Sequence, residues 1–199
     1  MFAFRPFYKP FYDNQYPWQQ IGGYQATATA IQNPFTFYYV KDNDWSSSHS
    51  YQFWNKNFTA AASVNNTATL KTIYSPSPSG FVEPKTAAFT GFTSTGGNTS
   101  NSSQFNVSGS FNQGYFFYTN GWKTGSTVFF DALGYRDTYS GRSSGTGAVV
   151  LVGGDGNFWA SGASSASYGR RLSFDSGAVV PQTTIDRSRG FSVRPVSEN

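Results

Sequence analysis

Gly134-Tyr135-Arg136, Val152-Gly153, Gly156, Phe158-Trp159, Leu172, Phe174, Val179, Pro181 and Gly190-Phe191-Ser192-Val193-Arg194-Pro195-Val196 form a sparse frame through the last third of the chain. Between these positions lies a second vocabulary of Ser, Thr, Ala, Val, Asp, Arg, Tyr and Gly in no evident order. From Asp137 to Arg189 there is no Lys, Glu or Met; the one Gln is Gln182, and the one Trp is Trp159, within the frame. A fixed frame carrying arbitrary-looking insertions is the expected pattern of a binding surface whose contacts vary.

The composition bounds the fold. The chain has 199 residues, 19% aromatic, 12% charged, with 21 Gly. That length suits one domain with at most an extension. High aromatic and Gly content with little charge favours sheet. No segment of about ten residues keeps an apolar period of 3.6, so helix should be scarce. The fold class expected is therefore mainly β with little helix (α+β), with long loops.

Working outward from the frame, Asn157–Ser161 and Arg171–Phe174 read as sheet strands. Ala148–Val152 is a short apolar run. Phe191–Val196 alternates Phe191, Val193 and Pro195 against Ser192, Arg194 and Val196, as a terminal strand with one buried face would. Upstream, Thr127–Phe130 reads as a buried strand. Ser110-Phe111 and Gly114–Tyr118 flank a turn at Asn112-Gln113. Thr93–Ser110 is poor in apolar residues and reads as a surface loop. Thr86–Phe92 is the one candidate helix. Ser75-Pro76-Ser77-Pro78-Ser79-Gly80 is a turn, and Pro34–Val40 a strand. The first 24 residues are crowded with rings: Phe2, Phe4, Phe7, Tyr8, Phe11, Tyr12, Tyr16, Trp18 and Tyr24. Pro6, Pro10 and Pro17 oppose helix or central strand there. Such an arm either packs along its own domain or docks on a neighbouring subunit.

Several chemistries are disfavoured. With no cysteine there are no disulfides, thiolate metal sites or cysteine nucleophiles. His49 is the sole histidine, in a polar loop, and no Gly-x-Ser-x-Gly elbow accompanies it. Asp137, Asp155, Asp175 and Asp186 fall in gap positions, a poor place for a catalytic carboxylate pair. Asp42-Asn43-Asp44 and Gly153-Gly154-Asp155-Gly156 lack the ligand count of a calcium loop. No enzyme activity, cofactor or metal is therefore expected. The net charge of +4 is dispersed apart from Arg170-Arg171, so nucleic acid is not an expected partner. No apolar run spans a membrane, and the N-terminus does not read as a signal peptide. The frame residues Arg136 and Arg194 should fork to backbone carbonyls or a carboxylate, and Trp159 should anchor the core with its indole N–H satisfied.

The scaffold stretches Ala30–Pro34, Asp44-Trp45, Lys71–Phe81, Ala88–Phe92, Asn120–Gly125, Gly134–Arg136, Phe158–Ser161 and Arg187–Val196 together resemble one family. They are similar to the C-type-lectin-like adhesin domains of gut Bacteroidales and their phages. These are relatives of the fibrobacter paralogous domain and include variable proteins of diversity-generating retroelements. The resemblance covers residues 30–199 and leaves 1–29 as an N-terminal arm or assembly segment. It implies a C-type-lectin-like fold and a variable ligand-binding region over 134–199. In such members AAY codons become NNY, which cannot encode Lys, Glu, Gln, Met or Trp, and the gap vocabulary obeys that limit apart from Gln182, which is therefore placed in the frame.

The resemblance implies ligand contacts at Asp137, Thr138, Tyr139, Arg142, Ala148, Val150, Leu151, Gly154, Asp155 and Asn157. They continue through Tyr168, Arg170, Arg171, Ser173, Asp175, Ala178 and Val180, and end with Thr183, Thr184, Ile185, Asp186 and Arg189. The structural frame is Gly134, Tyr135, Arg136, Trp159, Gly190, Phe191 and Arg194. The implied role is non-catalytic attachment to a host cell-surface protein or glycan, as a phage tail-fibre tip in a virion. The alternatives are a bacterial surface or pilus-tip adhesin, a structural virion protein, or a carbohydrate-active enzyme. Display as a homo-oligomer, such as a trimer or a fibre assembly, would strengthen weak single sites. Relatives often carry Cys where this chain has Ser46 and Ser77. The Glu-Pro-Asn and Trp-Asn-Asp sugar motifs of calcium-dependent lectins are missing, and formylglycine-generating chemistry is excluded without cysteine.

Overall fold

The computed structural model describes residues 18–20, 32, 37–39, 50–58, 68–137, 149–165 and 167–198. Its strands are β1 (Trp18–Gln20), β2 (Phe37–Tyr39), β3 (Phe81–Val82), β4 (Val107–Ser108), β5 (Gly114–Tyr118) and β6 (Thr127–Asp131). They continue as β7 (Tyr135–Arg136), β8 (Val149–Val150), β9 (Gly156–Ala163), β10 (Tyr168–Phe174), β11 (Val179–Asp186) and β12 (Val196–Ser197). Among the described residues helix is confined to short pieces, chiefly a 3-10 helix over Thr86–Phe92 and another over Ser102–Gln104. The mainly β expectation holds.

Two three-stranded sheets, β4-β5-β6 and β11-β10-β9, carry the structure. In β5 the alternation turns Tyr115 and Phe117 inward and Phe116 outward. Its partner β6 buries Phe130 and leaves Phe129 at the surface, where Phe116 and Phe129 face each other at 4.7 Å. β6 is thus buried on one face only, less than its apolar run suggests.

The inner side chains meet Phe158 and Ala160 of β9, Leu172 and Phe174 of β10, Val179 of β11, and Phe89 and Phe92 of the first 3-10 helix. Phe92 stacks on Phe117 at 4.1 Å, and Phe117 meets Phe174 edge-on at 5.3 Å. Burying one such ring contributes about 1.5–3 kcal/mol. This aromatic core stabilises a chain that has no disulfide. The buried Ser77 hydroxyl donates to Glu83 Oε1 at 3.0 Å.

Four expectations need correction. Thr93–Ser110 is not simply a loop: it contains a 3-10 helix and β4, and Phe105 and Asn106 are buried. Its polar composition is misleading because Asn106 acts as an internal clamp. Its amide donates to the carbonyls of Gly91 and Gly121 and accepts from Lys123 N. Ser110-Phe111 is not a strand; β5 pairs with Val107–Ser108 instead. Phe191–Val196 is not an alternating terminal strand. Phe191 and Ser192 are both buried, and only Val196–Ser197 pairs, with β3. Gly190 bridges to Arg136 and Ser192 to Phe158, so this segment is wedged between β7 and β9. Val152, placed in the frame, is exposed.

Strand β11 went unread. Pro181 cannot donate to a ladder, and here it lies where the β10–β11 register slips between Arg171 and Ser173. β11 is also an edge strand of its sheet. The aromatic arm before residue 18, and its packing, lie outside the described residues.

Candidate functional site

A second cluster lies on the other face of the β9–β10–β11 sheet. Trp54, Tyr135, Trp159 and Phe191 are its buried members, with Val150, Ile185, Phe53 and Val193 packed around them. Trp159 sits 4.6 Å from Phe191, which meets Tyr135 edge-on at 5.3 Å. A glycine opposite makes room: a Cβ on Gly169 would lie 2.7 Å from the Trp159 ring. Gly134 leads into β7 at φ +66°, a conformation that suits glycine.

Register divides the gap residues into two rows. Asn157 opposes Ser173 across β9–β10, and Trp159 opposes Arg171. Across β10–β11, Arg171 opposes Thr183, Ser173 opposes Val180, and Gly169 opposes Ile185. Directly paired residues share a face. Asn157, Arg171, Ser173, Val180, Thr183 and Ile185 therefore line the Trp159 face. The alternating residues Tyr168, Arg170 and Thr184 fall on the opposite face, while Asp186, at the end of β11, reaches Arg189.

Residues from other segments join the Trp159 face. Val150 packs on the cluster. Arg189 lies over the Tyr135 ring at 5.4 Å, 3.5 Å from Asp137 and 3.4 Å from Asp186. Arg171 lies over the Phe191 ring at 4.9 Å and donates to Asn157 Oδ1, which also accepts from Ser173. Burial, then the charge of Arg189, lower the Arg171 pKa to about 10, against the opposing pull of Tyr135 and Asp155. The guanidinium stays charged at neutral pH. Burial also lowers Arg170.

Not all expected contacts are at the surface. Asp137 and Asn157 are 1% and 2% exposed, so neither is a surface contact; Asp137 holds Arg189 and Asn157 holds Arg171. Leu151 and Tyr168 are exposed, and Gly154 and Asp155 are intermediate. Asp175 caps the β10–β11 turn by accepting from Gly177 N and Ala178 N, so Asp175 and Ala178 shape that turn. Thr138, Tyr139, Arg142 and Ala148 lie outside the described residues, as does His49.

Of the frame arginines, Arg194 makes the expected contact with a backbone carbonyl. Arg136 is buried and pairs by backbone with Gly190. Arg194 donates to the Phe129 carbonyl and stacks over Phe130 at 4.4 Å. Trp159 differs: it is fully buried, but its Nε1 has no hydrogen-bond partner among the described residues. Asn157 Nδ2 and Arg171 Nε are likewise unmatched there. No sequence signal announced these unmatched donors.

Among the described residues no group of three or more His, Cys, Asp or Glu is placed to hold a metal, and no helix is long and apolar enough to cross a membrane. No family model matches the chain, and neither a curated protein nor a solved structure is found similar to it.

Proposed function

We propose that the chain is a non-catalytic binding domain of C-type-lectin-like fold, and that the Trp159 face of the β9–β10–β11 sheet, with its rim, contacts a host cell-surface ligand. The setting that fits the resemblance is a phage tail-fibre tip bearing several copies.

One observation carries this reading. Residues distant in sequence and arbitrary in composition, Val150, Arg171, Ser173, Val180, Thr183, Ile185 and Arg189, converge on a single face around a buried aromatic anchor. Small adaptable side chains around a few large ones are how paratopes combine affinity with variability.

The test is attachment of fluorescently labelled protein to a panel of Bacteroidales cells. Saturable binding, competed by unlabelled protein and lost in Arg171→Met at an undiminished melting temperature, is expected. No saturable binding to any strain, or release of reducing sugar from the cells, would overturn the reading.

A further inference from the structure

A groove of about 700 Å³ opens between the 3-10 helix Thr86–Phe92, the β5–β6 sheet and the Arg194–Val196 segment. None of its lining residues belongs to the Trp159 cluster, so it has no part in the proposed attachment. That volume lies within the ordinary range for small-molecule sites. Phe89, Phe92, Val128 and Phe130 line it, together with Trp122, which is 42% exposed.

The polar groups of the groove are largely matched within the protein. The Asn106 amide donates to the Gly91 and Gly121 carbonyls, and its oxygen accepts from Lys123 N. Phe92 O accepts from Asn106 N, and Pro84 O from Ser161 N. The Thr93 and Thr119 hydroxyls donate to Gly97 O and Ser126 O. A hydroxyl-rich ligand such as a sugar would lose its water here and find few partners in exchange. An apolar body with rings finds a matching wall: Phe92 meets Phe130 edge-on at 5.1 Å, and the exposed Trp122 offers a further ring.

One lining residue carries a charge, and that charge is positive. Arg194 stacks over Phe130 at 4.4 Å and donates from Nη1 to the Phe129 carbonyl. Among the described residues its Nε and Nη2 make no hydrogen bond and it forms no ion pair. Those two nitrogens remain open to solvent rather than buried. Burial lowers the Arg194 pKa from the ordinary guanidinium value, and Asp131 opposes that shift from a distance. A cation partly stripped of water gains more from an anion than one on the open surface. Lys123, its ammonium 5.2 Å from the Trp122 ring, adds positive charge beside that wall.

We propose that the groove binds a small aromatic carboxylate, its rings against Phe92, Phe130 and Trp122 and its carboxylate on the Arg194 guanidinium. The planar fork of the guanidinium matches the two carboxylate oxygens.

The test titrates the full chain by calorimetry with 2-naphthoate and with its neutral counterpart 2-naphthamide. Naphthoate should bind about tenfold more tightly, as a charge-assisted bond to a half-buried cation requires. Arg194→Met should bring naphthoate to the level of naphthamide, with the melting temperature measured alongside. Trp122→Ala changes an exposed side chain, so the fold should persist while both ligands weaken by a similar factor. The native contrast and Trp122→Ala decide the matter even where Arg194→Met does not fold. Equal affinity for the two ligands in the native chain overturns the proposal. So does a naphthoate preference that survives Arg194→Met, or undiminished binding in Trp122→Ala. None of these readouts involves cells, so this proposal and the attachment reading fail separately.

Discussion

The two faces of the β9–β10–β11 sheet are built from different materials. The inner face, with Phe158, Leu172, Phe174 and Val179, packs into an aromatic core. The Trp159 face interleaves rings with guanidinium groups and a buried carboxylate: Arg171 on Phe191, Arg189 on Tyr135, Asp137 behind Arg189. A close-packed apolar face resists any change of volume. A face held by stacked cations and small polar residues tolerates exchange at its rim while its anchor stays fixed. One sheet can therefore carry stability on one side and variability on the other.

The largest effects should come from breaking the inner face. Phe117 is fully buried against Phe92 and Phe174. Phe117→Ala should cost about 3–5 kcal/mol, read by chemical denaturation, and attachment should fall only as the folded fraction does. A cost under about 1 kcal/mol would mean this core is not the stabilising one.

Gly169→Ala comes next. Its Cβ would press on the Trp159 ring at 2.7 Å, and overpacking of this kind costs about 1–3 kcal/mol. Because it displaces the anchor of the Trp159 face, attachment should weaken more than stability does, which separates it from Phe117→Ala.

Arg171→Met sharpens the contrast further. Burial and Arg189 lower the Arg171 pKa to about 10. That is below the ordinary guanidinium value, so the folded state binds this proton less tightly than the unfolded chain does. The penalty of holding the charged form is thus fully present below about pH 10 and is relieved only as pH rises beyond it. At neutral pH, Met should raise stability by about 1 kcal/mol while lowering attachment. A fall in stability would mark Arg171 as part of the frame.

How much of this was legible in the sequence follows from the same contrast. The inner face was readable because alternation in Gly114–Tyr118 and the apolar run at Phe158-Trp159 leave a period-two trace. The scarcity of helix and the short helix at Thr86–Phe92 were readable too. β11 was hidden by Pro181, whose bulge breaks the trace, and Phe105 was hidden by its polar neighbours. The division of Arg171 from Arg170, or Thr183 from Thr184, depends on strand register, which composition does not encode. The burial of Asp137 and Asn157 has the same origin: short polar residues in a variable-looking stretch become internal partners only once two arginines are folded over them.

The smallest structural perturbation gives the sharpest test. Thr183 and Thr184 are adjacent in β11, paired with Arg171 and Arg170, and so lie on opposite faces of the sheet. Thr183→Arg and Thr184→Arg are compared for attachment to cells, with the melting temperature of each measured alongside. Thr183→Arg should abolish attachment and Thr184→Arg should leave it within about twofold, both changing stability by no more than about 0.5–1 kcal/mol. Equal loss in both variants, or loss confined to Thr184→Arg, would contradict the assignment of the Trp159 face as the contact surface.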